Sequence, residues 1–200
     1  MDTFFFVCDI QSRFRSIIHE YEHVVATTNK MLKIAKLLGF PVIVTTQNAT
    51  ALGPTDPDVD LASLGDLHLR TIDKTLFSMI VPEVRDILIA GSNDKNVVLM
   101  GIESHICILQ TALELVKVAV PHINVYVIAD AVSSCNPFEI SLAFETMRHA
   151  GVKVISSESM GFLLMRDASL PSFREFSRII RDSKDRTKAA GKALLTKSSM

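Results

Sequence analysis

Short apolar runs alternate with stretches of helical periodicity along most of this chain, and that alternation constrains its fold more than any other feature. The runs TFFFVCD (3–9), VIVTT (42–46), NVVLM (96–100), NVYVIAD (124–130) and VKVISS (152–157) read as strands. Between the first two, residues 22–38 place Val24, Val25, Thr28, Met31, Leu32 and Ala35 on one helical face, and Gly39 and Pro41 end that helix. A helix over 82–90 opens at Pro82. Another, over 104–119, carries Ile108, Leu109, Ala112, Leu113 and Val116 at helical spacing. Asn136–Pro137 opens one that buries Ile140, Ala143, Phe144 and Met147 and stops at Gly151; 158–165 and 171–181 are helical too. Residues 75–80 fit a short strand, and Gly53–Asp60 is a loop. Repeated βα units require right-handed crossovers. The expected fold is therefore α/β: a three-layer Rossmann-like arrangement, with a mostly parallel sheet of about six strands and helices on both faces. VVLM and NVYVIA are almost continuously apolar, as burial on both sides demands.

Residues 1–182 are expected to form one domain, followed by a basic, flexible tail over 183–200. In FREFSRIIRDSKDRTKAAGKALLTKSS the positive charges are interleaved with Glu175, Asp182 and Asp185, which reads as a terminal helix and a solvated tail rather than a binding arm. The whole chain carries a net charge of −1, unlike the basic balance of nucleic-acid binders, so no nucleic-acid partner is expected. No apolar run is long enough to span a membrane. The start MDTFFFVCDIQ lacks a basic leader and reads as a core strand, and three cysteines without paired spacing fit a reducing compartment. These features point to a cytoplasmic protein without a membrane partner.

Chemistry enters at Cys107. It falls just past a strand, in the first turn of the following helix, where unpaired amides carry partial positive charge and favour a thiolate. A cysteine there is often only a small buried hydrophobe. Two further residues raise its standing. Asp9 ends the first strand and Lys74 sits in RTIDKTLFSM. Open parallel sheets hold ligands beyond the carboxyl ends of their strands, where Asp9 and Cys107 lie.

The segments FFFVCDIQ, DKTLFSM, GIESHICILQTALEL and VIADAVSSCNPFE, followed by AFETMRHAGVKVISSES, resemble the isochorismatase-like cysteine hydrolases, the superfamily of nicotinamidase and N-carbamoylsarcosine amidase. The resemblance covers about residues 3–181. It implies an Asp–Lys–Cys triad on Asp9, Lys74 and Cys107, a cis peptide at Ile102–Glu103, and an oxyanion hole from the backbone N–H groups of Glu103 and Cys107. It also implies hydrolysis of a small amide-like or related acyl substrate through a thioester, since the isochorismatases proper, which cleave a vinyl ether, lack the cysteine. Nicotinamidases bind metal through an Asp and histidines after the second strand. Here that stretch, TTQNATALGPTDPD, has no histidine, so neither metal nor other cofactor is expected. Close relatives often read Thr-Glu-Gln at Thr45–Thr46–Gln47 and Arg at Cys135. Members of the family form dimers or rings, so a homo-oligomer is expected.

Gln11, Phe14, Phe77 and His105 are candidate substrate contacts, with core packing the alternative for the two phenylalanines. Alternation along the first strand points Cys8 away from Asp9, as a core residue. Cys135 lies in a loop without a carboxylate near it in sequence and reads as structural, with oxidation sensitivity as the rival. Asp130 could line the pocket or cap the VSS turn. His68, His122 and His149 lack metal-ligand spacing and read as surface groups. Two rival functions stand beside the hydrolase: a catalytically idle scaffold acting by binding or assembly, and a ribonuclease.

Overall fold

A computed structural model describes residues 2–90, 93–118 and 122–195. Its centre is a six-stranded sheet in the order β3-β2-β1-β4-β5-β6. The strands are β1 (Asp2–Cys8), β2 (Val42–Gln47), β3 (His68–Lys74), β4 (Lys95–Ile102), β5 (Ile123–Ser133) and β6 (Lys153–Ile155). All five neighbouring pairs are parallel. The central strands are apolar because both of their faces are covered. Phe5 and Val7 pack into the core beneath α1 (Tyr21–Leu38), whereas Phe6 and Cys8 pack into the opposite core. Burying side chains such as Phe5 and Phe6 stabilises the fold by roughly 1.5–3 kcal/mol each.

A short helix, α2 (Ala49–Leu52), follows β2. The helices α3 (Pro82–Ile89), α4 (Leu109–Leu115) and α5 (Pro137–His149) cover the face that holds Phe6 and Cys8. On the other face, α6 (Ser157–Met165), α7 (Phe173–Asp182) and α8 (Lys184–Leu195) join α1. Gly39 ends α1 in the left-handed region at φ +72°.

Three local expectations are corrected. The third strand is not 75–80 but His68–Lys74. It is an edge strand with four of its seven side chains exposed, so it carries no apolar signal. Residues 75–80 instead form the connection to α3, which tucks Met79 and Ile80 into the core. The helix expected over 104–119 opens as a π turn, Ser104–Ile108, before α4 begins; its last residue, 119, lies outside the described residues. Such turns recur at functional sites. The tail expected to be flexible forms α8, and its Ala190 and Leu194 are buried against the α1-side core. The buried Lys30 ammonium donates to Thr187 Oγ1 at 2.9 Å, which fixes α8 to α1. Residues 196–200 lie outside the described residues.

The strand order reverses between β1 and β4, the point in such sheets where the loops diverge and leave a crevice. Cys8 and Gly101 are register partners across it. Gly101 sits at φ +121°, and a Cβ there would lie 2.1 Å from the Cys8 carbonyl oxygen. The absence of a side chain lets the two backbones close together beneath the crevice.

Candidate active site

Asp9 is the first residue past β1 and adopts φ +52°. That left-handed turn breaks the strand alternation. The Asp9 carboxylate therefore reaches the same side as Cys8, and their polar atoms, with the Cys107 sulfur, lie within 4.8 Å of one another. The carboxylate is buried and both of its oxygens accept hydrogen bonds: Thr45 Oγ1 donates to Oδ1 at 2.8 Å and Lys74 Nζ to Oδ2 at 2.7 Å. Lys74 closes β3 and also donates to Gln47 Oε1 at 2.7 Å and to the carbonyls of Leu76 and Phe77 at 3.1 Å each. Coulomb attraction at the Lys74–Asp9 distance of 2.7 Å is about 6 kcal/mol at an effective dielectric of about 20, before the desolvation cost is set against it. Burial alone would push the ammonium down in pKa. The neighbouring acids Cys8, Asp9 and Cys107, with the Asp9 hydrogen bond, outweigh it, and the net shift is upward.

Cys107 occupies the π turn after β4, 7% exposed. Thr111 Oγ1 donates to the Cys107 carbonyl at 2.6 Å and accepts from the Met79 amide at 2.9 Å. One hydroxyl thus ties the Cys107 turn to the segment whose carbonyls hold Lys74. The Ile102–Glu103 peptide is cis. Cys8, expected on the far side from Asp9, instead donates its thiol to Asp9 Oδ2 at 3.5 Å. Burial pushes the Cys8 thiol well up in pKa, and its hydrogen bond with Cys107 and the Asp9 charge push it further. Alternation could not reveal this contact, because the turn at Asp9 has no signature in the sequence. Gln47 and Thr111 were also missed, since each acts through a polar bond that no spacing announces.

The other candidates are placed as follows. Gln11 is fully buried and spends its amide on backbone: Nε2 donates to the carbonyls of Gln47 (3.2 Å) and Gly53 (2.6 Å), and Oε1 accepts from Gln47 N (2.9 Å). It holds the β2 exit loop rather than presenting a free amide. Phe14 packs against the α1-side core, while the Phe77 ring is exposed. His105 is half-buried, with Nδ1 2.9 Å from Ser134 Oγ. Asp130 accepts from Ser157 N at 2.6 Å and from the Ser157 hydroxyl, and so anchors the start of α6. Cys135 does have a carboxylate partner. The Glu103 side chain accepts from the Cys135 amide at 2.7 Å, and its bond with the thiol, followed by burial, raises the Cys135 pKa.

Among the described residues, two groups bring metal-ligating atoms within 4.8 Å of one another: Cys8–Asp9–Cys107, and Glu103–His105–Cys135. In the first, the Lys74 ammonium already sits 2.7 Å from the carboxylate, which opposes a second cation. In the second, the carboxylate and the imidazole are bound to Cys135 and Ser134. In the loop after β2, Asp56 is held by Arg15 and by the Tyr21 hydroxyl at 3.0 Å. A concavity of about 540 Å³ lined by Phe173, Arg174, Arg178 and Arg181 lies against α7, and none of the candidate residues lines it.

The parallel α/β sheet thus brings a cysteine, a carboxylate and a buried ammonium together by its switch point. The isochorismatase domain family matches residues 3–159, and the chain belongs to that family. A secreted isochorismatase effector, Isc1, from Phytophthora sojae is 39% identical over 178 residues, covering 88% of this chain and 83% of that protein. Isochorismatase domain-containing protein 2A of Mus musculus is 39% identical over 177 residues, covering 88% and 82%. Among solved structures, MAR1 ribonuclease from Caenorhabditis elegans superposes with a TM-score of 0.83 at 33% identity, covering 100% of this chain and 96% of that one. No helix among the described residues is long and apolar enough to cross a membrane.

Proposed function

We propose that this protein hydrolyses a small, non-peptide amide or related acyl compound through a thioester on Cys107, drawing on no metal or cofactor. The observation that carries the reading is the buried Lys74–Asp9 pair within reach of the Cys107 sulfur. Asp9 takes the thiol proton, and the nearby Lys74 charge favours the resulting thiolate. The thiolate attacks the carbonyl carbon. The oxyanion is held by the backbone N–H groups of Glu103 and Cys107, at the start of a helical turn whose first amides lack intrahelical partners. Protonated Asp9 returns its proton to the departing nitrogen, leaving an acyl-thioester. Asp9 then draws a proton from water, which attacks the thioester carbonyl; the C–S bond breaks, the acid leaves, and Asp9 returns the proton to the Cys107 sulfur.

His105 and Phe77 are assigned to the pocket wall; Gln11 and Phe14 support it from behind. The apolar residues Phe138 and Leu142, exposed one turn apart on α5, are assigned to contact with a second copy of the chain.

The test is turnover of a panel of small amides with a chelator present. Wild-type activity is expected to survive chelation, and Cys107→Ala is expected to abolish it while keeping the fold. A Cys107→Ala variant with full activity removes the mechanism, and wild-type protein without turnover and with an unreactive Cys107 favours the scaffold reading. The ribonuclease reading rests on the name of the Caenorhabditis elegans structure. The net charge of −1, and the placement of Arg174, Arg178 and Arg181 on α7 rather than around Cys107, count against it. Salt-sensitive RNA cleavage lost in Cys107→Ala would favour it.

A further inference from the structure

Cys8 plays no part in that mechanism, yet it is fully buried against the reacting atoms. Its sulfur is 3.5 Å from Asp9 Oδ2 and within 4.8 Å of the Cys107 sulfur. Three structural features put it there. Cys8 pairs in register with Gly101, whose missing side chain lets β1 and β4 approach. The π turn carries Cys107 back over the end of β4. The turn at Asp9 brings the carboxylate against the Cys8 thiol and within 4.8 Å of the Cys107 sulfur. An aliphatic side chain would fill the same space, whereas a cysteine supplies a second oxidisable sulfur beside the first.

We propose that Cys8 and Cys107 form an oxidation-sensitive dithiol, in which a hydroperoxide oxidises Cys107 and Cys8 then resolves it to an intrachain disulfide that closes the site reversibly. The inference rests on Cys107 being the reactive thiol of the proposed hydrolase. In the first step the Cys107 thiolate attacks one peroxide oxygen. An S–O bond forms, the O–O bond breaks, the peroxide takes two electrons and leaves as water (or an alcohol) after gaining a proton, and Cys107 becomes a sulfenic acid. In the second step the Cys8 sulfur attacks the Cys107 sulfur. An S–S bond forms, the S–O bond breaks, and hydroxide leaves as water with the proton of Cys8, relayed by Asp9. Overall, two thiols and one hydrogen peroxide yield one disulfide and two waters, and an organic hydroperoxide yields one water and one alcohol.

The same carboxylate lies 3.5 Å from the Cys8 sulfur and within 4.8 Å of the Cys107 sulfur, so one acceptor stands near both protons. Burial holds the Cys8 thiol protonated at neutral pH, so it is quiescent until Cys107 is oxidised. Cys135 is engaged with Glu103 in a different group. The disulfide would shield Cys107 from irreversible over-oxidation.

The experiment treats the full chain with hydrogen peroxide and dimedone, then maps peptides without reduction by mass spectrometry. Iodoacetamide alkylation of Cys107 is followed before treatment, after it, and after dithiothreitol. The expected result is a Cys8–Cys107 linked peptide, with alkylation lost on oxidation and restored by dithiothreitol. Cys8→Ala should accumulate the dimedone adduct on Cys107 and lose dithiothreitol-reversibility once sulfinic acid forms; Cys135→Ala should behave as wild type. A dimedone adduct or sulfinic acid on wild-type Cys107 without the linked peptide overturns the dithiol and leaves the hydrolase reading intact. A Cys107 that neither alkylates nor oxidises overturns both.

Discussion

Gly101→Ala tests whether the close approach of β1 and β4 builds the site. The new Cβ would lie 2.1 Å from the Cys8 carbonyl oxygen and 2.8 Å from its carbon and nitrogen, all backbone atoms held in the β1–β4 ladder. No rotamer can relieve that clash, so the strands must part. Overpacking costs about 1–3 kcal/mol, and a side chain at φ +121° adds about 1–3 kcal/mol of backbone strain. The total, about 2–6 kcal/mol, is a large share of the roughly 5–15 kcal/mol that holds a domain folded. Gly39→Ala is the control, because Gly39 also has positive φ (+72°) but a Cβ there meets nothing within 4 Å. It should cost only about 1–2 kcal/mol, the left-handed penalty alone. Urea unfolding at neutral pH reads both. Gly101→Ala should have the lower midpoint, and the alkylation rate of its folded fraction at Cys107 should fall because Asp9 and Cys107 have moved apart. Equal midpoints for the two variants would refute the argument from contact and leave only φ.

Lys74→Met leaves the buried Asp9 carboxylate unpaired and should cost about 3–5 kcal/mol at neutral pH, read by urea unfolding. Because the folded pKa of Lys74 is raised, its contribution is fully present below about 10.5, the unfolded value, and lost as pH rises through the higher folded one; the gap between wild type and Lys74→Met should therefore close only in strong alkali. Thr111→Val removes both bonds of the bridging hydroxyl and orphans the Met79 amide, for about 1–3 kcal/mol and a slower alkylation of Cys107. Leu194→Ala should lower stability by about 2–5 kcal/mol if α8 is part of the core, and thermal unfolding showing no loss would return that helix to the status of a tail.

Much of the fold is legible in the sequence, because the strands buried on both faces must be apolar. β1, β2, β4 and β5 stand out for that reason, and α1 and α5 show the spacing of one-sided burial. β3 was misplaced because an edge strand with an exposed face needs no such residues; HLRTIDK contains two apolar side chains, while the loop that follows contains more. α8 was missed because two buried residues, Ala190 and Leu194, are too few to stand out among lysines. At the site, the strand ends place Asp9, Lys74 and Cys107, whereas the neighbourhood of Cys8 depends on a single backbone angle at Asp9 that composition does not encode. Gln11 was legible as a neighbour of Asp9, but not the direction of its amide.

The order of strands has a consequence for the newborn chain. β1 precedes the other five strands in the sequence, yet it ends in the middle of the sheet between β2 and β4. Its partner on one side follows after a single helix. Its partner on the other is made only after β2, β3 and α3 have all been synthesised. For that interval Phe4, Phe5 and Phe6 lie on a strand with one open edge, the kind of edge that recruits other chains. Chaperone dependence during synthesis should therefore fall abruptly once β4 leaves the ribosome, and β1 stands out as the segment most prone to seed aggregation if translation stalls before then.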